Sequence, residues 1–132
     1  MKEEYRVDAK KWADVPRNEL PGRVIQWLVG EGTALPSDRM TVGLVNYSDA
    51  SGPMEPHRHI EESILVLRAK DARVRFGPAK DDLPHVIPLE PSMTLHVAPD
   101  EWHVFEWDAG GYAECAILYG EPFVYGRTGS RK

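Results

Sequence analysis

The sequence predicts an all-β fold, a sandwich or barrel of about eight or nine short strands. Its 132 residues include eleven glycines and eleven prolines, spread along the whole chain. These residues separate short apolar segments, as in many-stranded β proteins, and no segment shows the sustained 3.6-residue periodicity of a long helix. We expect one domain over residues 1–132, with a core at about 20–120 and extensions at 1–20 and 121–132.

The strands are expected between Gly, Pro and Asp turns. The first twenty residues are polar, and we expect a short turn or helix there, anchored by Trp12 and Val15. RVIQWLV (23–29) then predicts the first strand. SILVL (63–67) is almost continuously apolar, which indicates burial on both faces, whereas ARVRF (72–76) alternates apolar and basic residues and predicts a half-buried strand. DAGG (108–111) predicts a hairpin turn. The other expected strands are MTVGLVNYS (40–48), HVIPL (85–89), MTLHVA (93–98), WHVFEW (102–107), YAECAILYG (112–120) and EPFVYG (121–126).

Charge and composition argue against several classes of partner. The net charge of −5 disfavours nucleic acid, because phosphate binding requires a basic surface. No apolar run approaches the ~20 residues that span a bilayer, and the charged N-terminal residues lack the apolar region of a secretory signal. Cys115 is the single cysteine, so no internal disulfide can form. We therefore expect a cytoplasmic protein with a small-molecule ligand and no nucleic-acid or membrane partner.

Three histidines form the candidate site. If the segment around Pro56 is extended, His57 and His59 project from the same face and can reach a common metal ion. Glu62 follows three residues later and could supply a carboxylate oxygen, and His103 lies in a distant predicted strand. Such donors suit iron, manganese, nickel, zinc or copper rather than calcium or magnesium. The alternative is that this charged stretch is simply a polar loop.

Two segments resemble the motifs of the cupin superfamily. GPMEPHRHIEESILVLRA is similar to the first cupin motif, and APDEWHVFEW is similar to the second, whose turn presents the last ligand. The resemblance spans about residues 20–120. It implies a double-stranded β-helix, also described as a small jelly-roll barrel, with a metal near one end. The implied metal ligands are His57, His59, Glu62 and His103.

The chain departs from the cupin motifs at several positions. Two residues separate His59 from Glu62, where the family usually has three or four, and Glu61 is the neighbouring alternative, expected to point the other way. Ser92 and Asp100 replace glycines of the second motif, and Asp tolerates left-handed turns better than most residues. Two further departures are Ala69 at the final glycine of the first motif and Trp107 at a position that is often asparagine.

Alternation along the strands predicts an apolar pocket wall. Phe105 and Trp107 share the parity of His103, and Ile64 and Val66 share that of Glu62. These four residues are expected to line a small-ligand pocket beside the metal. Ordinary core packing is the alternative for Ile64 and Val66.

The remaining candidates have weaker signals. His96 lies in an apolar strand and is expected to be a hydrogen-bonded core histidine, whereas His85 is expected to be exposed. Cys115 is expected to be a buried small apolar residue rather than a nucleophile. The polar side chains of Gln26, Tyr112 and Tyr119 could also reach the site, but the sequence does not fix their direction.

Two functional hypotheses follow. The first is a metal-dependent enzyme acting on a small organic molecule; similar families include oxygenases, decarboxylases, lyases and isomerases, and the three histidines with an apolar, aromatic wall favour a dioxygenase. The second is a non-catalytic metal- or ligand-binding module. In either case we expect a homodimer, because RVIQWLV offers an apolar surface; alternatively, that strand only completes its own sheet.

Overall fold

The computed structural model describes residues 6–122. It contains two short 3-10 turns, Trp12–Asp14 and Asp49–Ser51, and seven strands. The strands are β1 (Asn18–Leu20), β2 (Arg23–Val29), β3 (Thr41–Ser48), β4 (Glu62–Gly77), β5 (His85–Pro88), β6 (Met93–Val97) and β7 (Trp102–Tyr119). The all-β prediction is therefore confirmed, with seven strands in place of eight or nine.

The strand count differs because two pairs of expected strands are continuous. SILVL and ARVRF both lie in β4, and WHVFEW and YAECAILYG both lie in β7. The expected hairpin turn at DAGG is wrong, since residues 108–111 lie inside β7. EPFVYG falls almost entirely outside the described residues.

The strands pair antiparallel in the order β1-β2-β3-β7-β4-β5, and β6 also pairs with β4. β4 and β7 pair along nearly their whole length, with register shifts between Val66 and Arg68 and between Lys70 and Ala72. Such bulges bend a strand without ending its ladder. The first part of β4 carries β6 and the last part carries β5, so the sheet curves into a jelly-roll barrel.

The barrel interior is a packed apolar core. Side chains from β2, β3, β4, β6 and β7 contribute, and the Tyr47 and Phe105 rings stack with centroids 4.6 Å apart. Ile64 and Cys115 have no exposed surface. This core reaches the histidines, since the Tyr119 ring lies 5.5 Å from that of His59, and it fixes the strands that carry them.

The N-terminal segment covers part of the outer face of the sheet. The Gln26 side-chain amide donates hydrogen bonds to the carbonyls of Trp12 (2.8 Å) and Val15 (3.0 Å). Val15 is buried as expected, but Trp12 is half exposed. β2 pairs with β1 and β3 in its own sheet. Within residues 6–122, no helix is long and apolar enough to cross a membrane.

Candidate metal centre

The three histidines meet because the segment before β4 pairs with the start of β7. The His57 N–H donates to the His103 carbonyl (3.0 Å), and the His103 N–H donates to the His57 carbonyl (2.9 Å). The Asp100 N–H donates to the His59 carbonyl (2.8 Å). The ring centroids are 4.5 Å apart for His57 and His103, 4.9 Å for His59 and His103, and 5.3 Å for His57 and His59.

Backbone carbonyls set the tautomer of each imidazole. In all three rings Nδ1 lies at hydrogen-bond distance from a carbonyl oxygen of a nearby residue. A carbonyl can only accept, so Nδ1 carries the proton and Nε2 keeps its lone pair. The bonds are His57 to Glu55 (3.1 Å), His59 to Ile60 (2.8 Å) and His103 to Glu101 (2.8 Å).

The donor atoms of His57, His59 and His103 suit a bound metal ion. One donor atom from each ring lies within 4.8 Å of the other two. The Nε2 atom of His103 is buried and has no hydrogen-bond partner among residues 6–122. Buried polar atoms are normally satisfied, and a cation about 2.0–2.1 Å from each nitrogen would satisfy this one. The cluster therefore fits a divalent transition metal.

Burial keeps the three imidazoles neutral. It lowers the pKa of His57 to about 2 and that of His103 to about 4, in each case assisted by a neighbouring histidine. Burial also lowers the pKa of His59. Neutral imidazole is the form that binds metal, so protons do not compete for these nitrogens at neutral pH.

Glu62 lies beside the cluster without belonging to it. Its Oε1 is 3.5 Å from Nε2 of His59, and its carboxyl group accepts a hydrogen bond from the Tyr119 hydroxyl. Burial raises the pKa of Glu62 to about 8, against the opposing effects of Tyr119 and Arg23. Burial favours the neutral forms of both His59 and Glu62, so their contact is not an ion pair.

Arg23 is a buried cation beside the site that the sequence pattern does not reveal. Its guanidinium donates to the Pro21 carbonyl (2.7 Å) and interacts electrostatically with Glu62, Tyr47 and Tyr119. Burial lowers the pKa of Arg23. A charged residue that opens a strand is normally exposed, so its sequence position carried no signal of burial.

Two features hold the histidine segments in place. The Arg58 guanidinium lies over the Trp102 ring, 4.9 Å from its centroid. Arg58 and Trp102 directly precede His59 and His103, so this contact ties the two segments together. Ser92 (φ 67°) and Asp100 (φ 63°) adopt the left-handed conformation where the cupin motif has glycine, whereas Ala69 does not.

A pocket of about 310 Å³ reaches His103 from the side of β5 and β6. Apolar side chains form most of its wall, and His96 and Glu101 add polar groups. The lining residues are Val74, Phe76, Ile87, Thr94, Leu95, His96, Val97, Ala98, Glu101 and His103.

The four residues expected to form the pocket wall do not line the pocket at His103. Ile64 and Val66 are buried in the core, as the core-packing alternative has it, and Phe105 stacks on Tyr47. Phe105 and Trp107 line a second pocket of about 310 Å³. The Trp107 indole donates a hydrogen bond to Asp49 (3.0 Å).

The remaining histidines lie outside the cluster. His85 is exposed, as expected. The core position expected for His96 is wrong, because Leu95 takes the inward position opposite Ile64 and leaves His96 exposed. His96 instead contacts Glu61, with Nε2 2.5 Å from Oε2. Glu61 thus points away from the site, as expected.

Solved structures share this fold at low sequence identity. The polyketide cyclase RemF from Streptomyces resistomycificus has a TM-score of 0.69 and 16% identity over 93% of this chain and 90% of its own. A cupin superfamily protein from Desulfitobacterium hafniense has a TM-score of 0.55 and 17% identity over 76% of this chain and 78% of its own. An Fe(II) structure of HppE has a TM-score of 0.64 and 17% identity; the alignment covers 85% of this chain and 59% of HppE.

No protein-family model and no curated protein sequence matches the chain. The likeness is therefore one of structure, and it confirms the predicted cupin fold.

Proposed function

We propose that this chain is a metal-dependent cupin enzyme that acts on a small organic molecule, with His57, His59 and His103 as ligands to a divalent transition metal. The observation that supports this proposal is the arrangement of three imidazoles, each with its Nδ1 atom hydrogen-bonded to a backbone carbonyl. This leaves a neutral Nε2 on each ring, and one donor atom of each ring lies within 4.8 Å of the other two. Three protein nitrogens leave coordination positions for water and substrate, as in catalytic sites.

Glu62 is the proposed fourth ligand. Donor atoms that share one metal at bonds near 2.1 Å lie about 3–3.5 Å apart, and Oε1 of Glu62 is 3.5 Å from Nε2 of His59. A cation would favour the carboxylate form of Glu62. Ligation by Glu62 requires it to move toward His57 and His103.

Dioxygenase activity is the reaction we favour, with iron as the metal. The supporting observations are the all-histidine core of the site, the apolar wall beside His103 and the fold shared with the Fe(II) form of HppE. Iron bound there supplies dioxygen chemistry. The chain's own residues hold the ligand orientation through the Nδ1 hydrogen bonds and exclude water through Val74, Phe76 and Leu95.

Oxygen uptake tests this proposal. Protein loaded anaerobically with Fe(II) is mixed with small aromatic and hydroxylated substrates, and oxygen consumption is recorded. We expect consumption that needs both iron and substrate and that the His103→Gln variant lacks. Conversion of a substrate without oxygen would contradict the dioxygenase assignment and favour lyase or isomerase chemistry.

A non-catalytic metal- or ligand-binding module is the second candidate. The packed apolar core of the barrel favours it. The predicted wall of Ile64, Val66, Phe105 and Trp107 remains a prediction for a ligand that reaches deeper than the pocket at His103. Tight metal binding without turnover of any substrate would support this module.

Homodimerisation and a cytoplasmic location belong to the same proposal. Leu65, Leu67 and Leu118 are partly exposed on β4 and β7, and a self-complementary apolar face is the usual basis of a two-fold dimer. The single cysteine, Cys115, is buried and unpaired, which suits a reducing compartment. Sedimentation of the wild type and of Leu65→Glu would test the dimer; a mass unchanged by the substitution would contradict this face.

A further inference from the structure

We propose that the pocket between β5 and β6 holds a compact molecule with an apolar ring or branched body and one oxygen-bearing end directed at the metal. This inference rests on the proposed metal centre and assigns its substrate class. Ile64, Val66, Phe105 and Trp107 do not line this pocket.

The first wall of the pocket extends from His103 along one face of the sheet. Phe76 pairs directly with His103 across β4 and β7, and Val74 pairs with Phe105. Val74 also pairs with Ile87 on β5. Directly opposite residues share a face, so Phe76, Val74 and Ile87 form a continuous apolar surface that begins at a metal ligand.

The second wall leads to Glu62. Val97 on β6 pairs with Glu62, and Leu95 pairs with the fully buried Ile64. Val97 and Leu95 therefore face inward and bound the pocket opposite Phe76 and Val74. Both walls converge on the histidine cluster, so a bound molecule presents one end to the metal.

The pocket lies beside a gap in the sheet. Within residues 6–122, β5 and β6 each pair with β4 alone, at opposite ends of that strand. Their other edges are not joined by a ladder, and residues of both strands line the pocket. Polar groups occur at the rim, where His96 and Glu101 contribute.

Size and chemistry define the class of ligand. A pocket of about 310 Å³ is at the small end of ligand sites, which span roughly 300–1,000 Å³. Apolar walls favour burial of a hydrocarbon body. Among the described residues that line the pocket, His103 is the one that belongs to the histidine cluster, so the polar end of the ligand belongs at the metal. Sugars and polyanions lack such a body and are excluded from this class.

Two hydroxamates distinguish binding in the pocket from binding to the metal alone. Acetohydroxamate and benzohydroxamate carry the same metal-binding group, and only the second adds a ring. Each is titrated into Co(II)-loaded protein, and the visible cobalt spectrum gives its Kd. We expect benzohydroxamate to bind at least about tenfold more tightly in the wild type, because its ring is buried.

Three variants test whether the tighter binding of benzohydroxamate comes from burial of its ring in the pocket. Ala98→Trp places an indole in the pocket from an exposed position, so the fold is not strained, and Ile87→Trp places one there from the β5 wall. Val86→Trp is the matched control, since Val86 is exposed on β5 and does not line the pocket. We expect both filling variants to lose the preference for benzohydroxamate while acetohydroxamate binding is retained, and Val86→Trp to keep it.

The outcomes distinguish the two proposals. Equal affinities for the two hydroxamates in the wild type, or a preference unchanged by both Ala98→Trp and Ile87→Trp, would overturn the pocket assignment and leave the metal centre intact. Failure of cobalt to bind would refute the metal centre, and the substrate class would fall with it.

Discussion

Acidification should destabilise the metal-free protein through His103. This imidazole is 1% exposed, and its pKa is lowered from 6.5 to about 4 in the fold. The unfolded chain therefore binds a proton below pH 6.5 that the folded chain does not bind until about pH 4. Stability is greatest above pH 6.5 and is lost as the pH falls. The linkage gives a loss of about 2 kcal/mol between pH 8 and pH 5 from His103 alone.

Urea denaturation measures this loss. The free energy of unfolding is determined at pH 8 and pH 5 for the chelator-treated wild type and for His103→Gln, whose amide does not titrate. The remaining histidines are common to both proteins, so the difference between the two pH effects gives the contribution of His103, including its coupling to the neighbouring histidines. We expect the variant to lose about 2 kcal/mol less than the wild type. Equal losses in both proteins would show that His103 is not held neutral by burial.

Three further predictions concern the framework of the site. Ser92→Gly should raise the free energy of unfolding by about 1 kcal/mol, because glycine adopts the left-handed backbone (φ 67°) without strain; thermal denaturation checks it, and a decrease would contradict the assigned conformation. Phe105→Ala should cost about 3–5 kcal/mol, because it removes the ring stacked on Tyr47 in the core; urea unfolding measures this, and a loss below about 1 kcal/mol would place Phe105 outside the core. Burial raises the pKa of Cys115 to about 12, so its thiol should react with a chromogenic disulfide at pH 8 only after denaturation; prompt reaction of the folded protein would contradict that burial.

Much of the fold was predictable because the strand signals are local. RVIQWLV matches β2, Arg23–Val29, at both ends. The continuity of β4 and β7 was not predictable in the same way. Asp71 (φ 51°) and Gly110 (φ 81°) occupy left-handed positions that resemble turn signals, but here they lie within long strands. Whether such residues end a strand or bend it depends on the partner strand, which a local pattern does not contain.

The candidate site was likewise predictable from the sequence only in part. The spacing of His57 and His59, with the resemblance to the cupin motifs, predicted three side chains that the fold brings together. Predicting the pocket requires knowledge of which distant strands pair with each other. Parity shows that Val74 and Phe76 share a face, but not that the sheet opens between β5 and β6. The burial of Arg23 likewise depends on packing around Glu62 and Tyr119, which lie far along the chain.

Metal content measures the central claim most directly. Elemental analysis is made on protein purified without chelator, as the wild type, as a His57→Ala/His103→Ala variant, and as a His85→Ala/His96→Ala control that removes two histidines outside the cluster. We predict near-stoichiometric transition metal in the wild type and the control, and almost none in the His57/His103 variant. Equal metal in the wild type and the His57/His103 variant would contradict a metal centre at these histidines.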